Sequence, residues 1–379
     1  MPLSDPKHTR GESPGLFTPG TRSGRVEPLP ISDRRVGEDR EVFIVAELSG
    51  NHHSSLDTAK KLVRAAAESG ADAVKLQTLS PDGITLDCDR EPFRIGEGTI
   101  WSGRTLYDLY REVQTPWEWH RDLQQLAATL GLVLFSSPFD PRAVEFLERE
   151  LDPPVYKVAS FELVDIPLIE AIASTGKPII LSTGMGSERE VDEALEAAWN
   201  NGSGPLALLK CTSAYPAPPE EMNLRAIAWM RERFGVPTGL SDHSLTLAAP
   251  LTATAYGASI IEKHLILDRN EGGPDAPFSL EPAELARMVR EVRAATRAAG
   301  RPMLGVGKRE TASLQFRRSL FVVRDIAKGE ELNDINVRSI RPGHGLPPRD
   351  LKRILGRRAA TEIRRGTPLS WELIEGGEI

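Results

Sequence analysis

Apolar positions along the chain fall into two alternating rhythms. Val42 to Leu48 is a near-continuous apolar run, the pattern of a strand buried on both faces. Leu56, Ala59, Leu62, Val63 and Ala66 follow at helical spacing, and Gly70 closes that helix. Ala73 to Leu76 then predicts a second strand. The alternation continues with strands over Leu132 to Phe135, Val155 to Val158, Pro178 to Leu181, Leu206 to Leu209, Val236 to Leu240 and Ser259 to Glu262. Helical patterns separate them over Trp117 to Leu130, Pro141 to Glu150, Ile166 to Ser174, Glu188 to Trp199, Asn223 to Phe234 and Ser244 to Gly257, and Pro282 to Ala299 follows the last strand. About eight strand–helix units in about 260 residues is the size of a (β/α)8 barrel. The fold class is therefore α/β, a (β/α)8 TIM barrel. A doubly wound open sheet is the alternative, but polar residues crowd the C-terminal ends of nearly all the strands rather than one switch point.

Three stretches depart from this rhythm. Residues 1–40 are rich in Pro, Gly, Arg and Ser without apolar periodicity, which predicts a disordered or loosely attached tail. Ser80 to Gln114 carries a Pro-Asp-Gly turn and few periodic apolar positions, the composition of a long loop over the barrel mouth. The barrel accordingly occupies 41–300, and 301–316, with Pro302, Gly305 and Gly307, reads as a linker. Residues 317–379 form a different unit, with a strand over Ser319 to Val323, turns at Lys328-Gly329 and Gly366 to Leu369, and a helix over Pro348 to Leu355. About 60 residues make a marginal core, so this unit is expected to dock.

Composition narrows the function. The 379 residues are 40% hydrophobic and 27% charged, which supplies a core of normal size. A formal charge of -7 gives the whole molecule no attraction for nucleic acid. No apolar run approaches the roughly 20 residues of a membrane span, and no secretion signal is visible. Cys88 and Cys211 offer neither a disulfide framework nor a zinc spacing, which fits the cytoplasm.

The chemistry sits at the strand ends, which in a barrel converge on one pocket. Glu47, Asn51 and His52 follow the first strand, and Lys75 and Gln77 the second. Ser136 and Ser137 follow the third, Lys157 and Ser160 the fourth, and Ser182 and Thr183 the fifth. Lys210, Thr212, Ser213 and Tyr215 follow the sixth, His243 the seventh, and Glu262, Lys263 and His264 the eighth. His243 and His264 on neighbouring strands, with Asp242, Glu262 and Asp275 close in sequence, suit an open divalent metal site. Four strand-end lysines imply a ligand with two or more negative charges, such as a phosphorylated carboxylate, with Lys75 and Lys157 the leading pair. Lys210 and Lys263 could instead pair with Glu47 or Glu262. The turn Ser182-Thr183-Gly184-Met185-Gly186 opens a helix and could hold phosphate. No nucleophile elbow is present, which argues against a hydrolase triad. A Schiff-base aldolase using one of the lysines, and a binding protein with an inactive barrel, both stay open on the residues alone.

Seven segments resemble, in order, those of the sialic acid synthases. They are Ala-Glu-Leu-Ser-Gly-Asn-His-His from Ala46, Val-Lys-Leu-Gln-Thr from Val74, Tyr-Lys-Val-Ala-Ser from Tyr156, Leu-Ser-Thr-Gly-Met from Leu181, Lys-Cys-Thr-Ser-Ala-Tyr-Pro from Lys210, Gly-Leu-Ser-Asp-His from Gly239 and Ile-Glu-Lys-His from Ile261. From Arg317-Arg318-Ser319-Leu320 onward the chain resembles that family's C-terminal SAF (antifreeze-like, β-clip) domain. Phe135 to Asp140 and Thr115 to His120 resemble the branch that makes pseudaminic acid, and Ser213 stands where N-acetylneuraminate synthases carry an asparagine.

The resemblance implies condensation of phosphoenolpyruvate with an open-chain acetamido sugar, 2,4-diacetamido-2,4,6-trideoxy-L-altrose, and release of phosphate. N-Acetylneuraminate or legionaminate synthesis from another amino sugar is the alternative. It implies a divalent metal on His243 and His264, Mn2+ first, with Mg2+ or Co2+ as alternatives. Lys75, Lys157, Ser137, Ser160, Ser182 and Ser213 would hold phosphoenolpyruvate. Glu47, Gln77, Tyr215, Glu262 and Asp275 would orient the sugar or carry protons. Arg318 would reach into the mouth of a second copy, in a domain-swapped homodimer.

Overall fold

The computed structural model describes residues 26–300 and 303–377. The chain divides into two compact units, Met1–Gly300 and Arg301–Ile379. Unit one opens with a hairpin of β1 (Leu29–Ile31) and β2 (Arg34–Val36), closed by a two-residue turn with Ser32 at positive φ. Strands β3 (Phe43–Glu47), β4 (Ala73–Thr78), β5 (Val133–Pro138), β6 (Tyr156–Val158), β7 (Ile179–Ser182), β8 (Leu206–Cys211), β9 (Thr238–Asp242) and β10 (Ile260–His264) form a closed barrel, β10 pairing with β3. Every pairing in it is parallel. This is the (β/α)8 architecture that the apolar rhythm predicts.

Helices occupy the crossovers. They are α1 (Leu56–Glu68) after β3, α2 (Pro81–Ile84), α3 (Leu106–Val113) and α4 (His120–Thr129) after β4, and α5 (Pro141–Glu150), α6 (Ile166–Ala173) and α7 (Glu188–Asn200) after β5, β6 and β7. Then come α8 (Ala226–Phe234) after β8, α9 (Ala248–Ala255) after β9 and α10 (Pro282–Ala299) after β10. Local signals start several of them: Ser55, Asp140 and Asp165 accept from the first-turn amides of α1, α5 and α6, and Ser187 with Glu190 forms a capping box on α7. Among the described residues no helix is long and apolar enough to cross a membrane.

Strand alternation sorts the side chains into two layers. Ile44, Val74, Leu134, Leu181, Leu208, Leu240 and Ile261 pack outward under the helices. Phe43, Val45, Ala73, Phe135, Val155, Ile180, Ala207, Leu209 and Ile260 point inward, where Leu29, Ile31 and Val36 of the hairpin join them. The hairpin thus fills the N-terminal end of the barrel. The loosely attached tail expected over 1–40 therefore does not hold for 26–40; residues 1–25 lie outside the described residues. Three apolar positions spread over eight residues are too sparse to register as periodicity, yet each of them is buried.

The segment from Ser80 to Gln114 is more ordered than its composition suggests. Leu79, Leu109 and Val113 form a small core with Ile95, Trp101, Tyr110 and Phe139 packed against it. Thr105 caps α3 by accepting from the Asp108 amide.

Unit two builds on β11 (Ser319–Val322) and β12 (Val337–Ile340), antiparallel, with α11 (Leu351–Ile354) following. Single bridges such as Ile326 to Ile363 and Ala359 to Ile374 close the remainder. Its core holds Leu320, Val322, Ile326, Leu332, Val337, Ile354 and Leu369, more than the sequence pattern suggests for so short a unit.

Candidate active site

In seven of the eight barrel strands the inward face changes character two residues beyond its last core side chain. Val45 is followed by Glu47, Ala73 by Lys75, Phe135 by Ser137, Val155 by Lys157, Ile180 by Ser182, Leu209 by Cys211 and Ile260 by Glu262. Because alternation keeps the direction, these polar groups continue the barrel interior toward its C-terminal mouth.

A buried ionic cluster lies at the centre. Lys75 Nζ stands 2.6 Å from Glu47 Oε2 and 3.6 Å from Glu262 Oε1, and it donates to Ser137 Oγ at 3.3 Å. Burial would strip the Lys75 proton, but the Glu262 and Glu47 carboxylates outweigh it and raise its pKa. Two carboxylates sharing one ammonium cannot ionise equally. Burial raises Glu47 above the usual carboxylate range. Glu262 is also pushed up by burial, but Lys75 and Lys157 overcome this and hold it low. Ser241 Oγ donates to Glu262 at 3.0 Å and the Ser49 amide donates to Glu47 at 2.9 Å. Lys157, 1% exposed, donates to the Val158 carbonyl at 2.7 Å. Burial lowers its pKa to about 8. A cation this deep with no ion-pair partner among the described residues is poised for an anion.

Hydroxyls form a cradle beside it. Ser160 Oγ and Ser213 Oγ are 3.0 Å apart, and the buried Ser182 Oγ has no hydrogen-bond partner. Gly184 has φ of +49, and a Cβ there would lie 2.5 Å from Ser160 Cβ and 3.0 Å from Ser213 Oγ. The β7–α7 turn thus presses its backbone against both serines, which only glycine permits.

The two imidazoles meet with ring centroids 5.3 Å apart. His243 Nδ1 lies 3.1 Å from the Thr212 carbonyl, which fixes the proton there and leaves Nε2 as a free donor pair. His264 Nδ1 is buried without a hydrogen-bond partner and 3.9 Å from Asp275 Oδ2. Burial, then the His243 and Lys75 charges, hold His264 neutral well below its ordinary pKa. Asp275 accepts from Ser49 Oγ, which in turn accepts from Gln77 Nε2 at 3.1 Å. Burial raises the Asp275 pKa. Tyr215 packs on His243 at 4.6 Å. The neutral, under-partnered His264 and the free Nε2 of His243 suit a divalent ion. Among the described residues no group of three or more His, Cys, Asp or Glu is close enough to hold one, so water or substrate oxygens would complete its coordination.

Several expectations change. Lys210 and Lys263 have the opposite parity to their inward neighbours Cys211 and Glu262. Lys210 donates to the Cys211 carbonyl, and Lys263 pairs with Asp242 at 2.8 Å outside the barrel. Neither pairs with Glu47 or Glu262, and Asp242 is not a metal neighbour. Two lysines, not four, enter the interior. Ser136 likewise faces outward, bonded to Thr78 Oγ1. Asn51 and His52 are spent on Leu265, Ser279 and Thr115. Arg318 is exposed in unit two, where Nη1 donates to the Ser339 carbonyl at 3.0 Å.

The sequence reading missed three residues. Cys211 lines the site: Sγ lies 3.9 Å from His243 Nδ1, and its parity after Leu209 is the signal. Ser49 joins Gln77 to Asp275. Glu162 has a buried Oε2 without a partner, and burial pushes its carboxyl up to about 7 despite the nearby Lys157. Its one signal is a charge within the apolar run Phe161 to Val164.

Comparison with known proteins places the chain in a family. The NeuB family model matches residues 62–303 and the SAF domain model residues 317–375. A pseudaminic acid synthase of Campylobacter jejuni is 44% identical over 87% of this chain and 96% of its own length. An N,N'-diacetyllegionaminic acid synthase of Legionella pneumophila is 34% identical over 89% of this chain and 96% of its own. The crystal structure of an N-acetylneuraminic acid synthetase from Leptospira borgpetersenii, in complex with citrate, has a TM-score of 0.68 at 30% identity, covering 78% of this chain and 98% of that one. The chain belongs to the NeuB family of sialic acid synthases.

Proposed function

We propose that this protein condenses phosphoenolpyruvate with open-chain 2,4-diacetamido-2,4,6-trideoxy-L-altrose, forming pseudaminic acid and releasing phosphate. The observation that carries the choice is identity: 44% to a pseudaminic acid synthase against 34% to a legionaminic acid synthase, over similar coverage. The geometry supports the reaction class. Two buried ammonium groups and a hydroxyl cradle share one barrel mouth with a pair of imidazoles.

In this reading Lys75 and Lys157 bind the phosphoenolpyruvate anions, with Ser137, Ser160, Ser182 and Ser213 donating to its carboxylate and phosphate oxygens. His243 and His264 hold a divalent ion, Mn2+ in the first instance, which when bound polarises the sugar aldehyde. Gln77, Tyr215 and Asp275 orient the sugar. The enol carbon of phosphoenolpyruvate bonds to the aldehyde carbon, leaving positive charge at carbon 2. Glu262, held ionised, faces that charge and favours it electrostatically. Glu47, with its raised proton affinity, supplies a proton for the new alkoxide. Water adds at carbon 2 and loses its proton, and phosphate departs with its bridging oxygen.

A second copy completes the mouth in this proposal, through Arg318 of its SAF domain. The exposed apolar side chains Phe161, Val164, Met185 and Leu245, on loops after β6, β7 and β9, favour such a cover. Free thiols at Cys88 and Cys211 support a cytoplasmic site of action.

Phosphate release across a panel of amino sugars, with and without chelator, tests the reading. Release should require phosphoenolpyruvate, the trideoxy sugar and a divalent ion together. Equal turnover of N-acetylmannosamine or of the legionaminate precursor would move the protein to another branch of the family.

A further inference from the structure

The reaction described above leaves one element of the mouth without a role. Between α2 and α3, Trp101 leaves its loop and packs on Tyr215, ring centroids 5.3 Å apart and tilted 52°. It meets Phe278 edge-on, 6.5 Å away at 89°. Its indole Nε1 donates to the Pro274 carbonyl at 2.9 Å. Residue 274 precedes Asp275, so the bond fixes the ring against the loop that carries a site carboxyl. Trp101 also packs against the small core of Leu79, Leu109 and Val113. These contacts hold the ring while it remains partly exposed.

Two consequences follow from chemistry alone. The indole has a single N–H donor, and Pro274 consumes it. What Trp101 offers a ligand is therefore an apolar aromatic face. Position supplies the second consequence. Tyr215 also packs on His243 at 4.6 Å, so the indole is two ring contacts from the imidazole that would hold the aldehyde end of the sugar. An open six-carbon chain spans roughly 6 Å at about 1.5 Å per bond, which carries its far end from the metal side toward that indole.

We propose that Trp101 is a specificity-determining residue that selects a sugar ending in a methyl group over one ending in a hydroxymethyl. The inference rests on the functional reading above, since the trideoxy sugar ends in such a methyl. A methyl at the ring face gains dispersion and loses water. A hydroxymethyl at the same place brings a hydroxyl that the ring face cannot hydrogen-bond, because the indole's own donor is already committed. Apolar pockets reject an added hydroxyl by about 100-fold at most, so the expected discrimination is a preference, not an absolute block.

The test compares kcat/KM for the 6-deoxy sugar and its 6-hydroxy counterpart in the full-length protein. Wild type should favour the 6-deoxy sugar by on the order of tenfold to 100-fold. Trp101→Ala should bring the two within about threefold, through a raised KM for the 6-deoxy sugar with a smaller change in kcat. Trp101→Gln, which supplies hydrogen-bonding groups in place of the ring, should move the ratio further toward the 6-hydroxy sugar, and it decides the matter if the alanine variant does not fold. A wild-type ratio retained in the folded variant overturns the inference while leaving the functional reading intact. If wild type fails to consume the 6-deoxy sugar, the functional reading itself falls, and this inference with it.

Discussion

Individual side chains in the barrel interior differ sharply in what their removal should do. Lys157 is buried without a carboxylate partner, whereas Lys210, a strand-end lysine of similar sequence context, faces away. Lys157→Met should reduce kcat/KM by roughly 100-fold to 1,000-fold, the magnitude of losing one organised charge-stabilising contact. Lys210→Met should stay within about threefold of wild type in the same phosphate-release assay, because it perturbs only an exterior contact. Equal losses in the two variants would contradict the assigned parity. His264→Ala should abolish turnover and the electron-spin signal of bound Mn2+ while leaving far-ultraviolet circular dichroism unchanged. The residue types and strand ends were legible in the sequence, and so was the leading pair of lysines. Direction was harder. One residue of offset separates Cys211 from Lys210 and Glu262 from Lys263, and strand boundaries read from an apolar run are not that sharp.

At the scale of elements, the barrel strands and crossover helices follow the apolar rhythm because each carries several periodic positions. The β1–β2 hairpin and α3 do not. The hairpin has three core residues across one turn, and α3 buries only Leu109 and Val113. Such short elements acquire their meaning from the surface they land on, which no local window contains. The hairpin is nonetheless expected to matter. Leu29 is fully buried, so Leu29→Ala should cost about 2–5 kcal/mol, read as a fall in the midpoint of chemical denaturation. An unchanged midpoint would mean that the hairpin is not seated in solution.

The whole molecule carries a pH dependence set away from the chemistry. His52 and His120 are buried beside Thr115 and Thr78, and burial lowers both pKa values to about 4. In the unfolded chain each would protonate near 6.5, so between pH 6.5 and 4 the unfolded state binds more protons and stability falls as pH falls. Each site contributes at most about 3 kcal/mol over that window. Replacing His120 by Gln should flatten the acid limb of the stability profile; an unaltered slope would remove His120 from the account. The proposed dimer makes a prediction at the same scale. Mixing Arg318→Ala with Lys157→Met, each strongly impaired alone, should raise turnover above either variant through mixed dimers, since one mouth then has an intact barrel and an intact arginine. Failure to raise it under subunit exchange would confine each site to its own chain. Two units were evident from composition. The resemblance implies that the second one complements another copy's barrel; the residue pattern by itself carries no such signal.

The stopper made by Leu29, Ile31 and Val36 closes the N-terminal end of the reaction chamber and leaves the opposite mouth as its doorway among the described residues. Both reactants, the hydrolytic water, the new acid and the departing phosphate must all pass the same rim. In the proposed reading, the guest held by Lys75 and Lys157 boards before the sugar takes its seat. A late-arriving phosphoenolpyruvate would find its berth shut, so excess sugar should act as an inhibitor competing for the entrance.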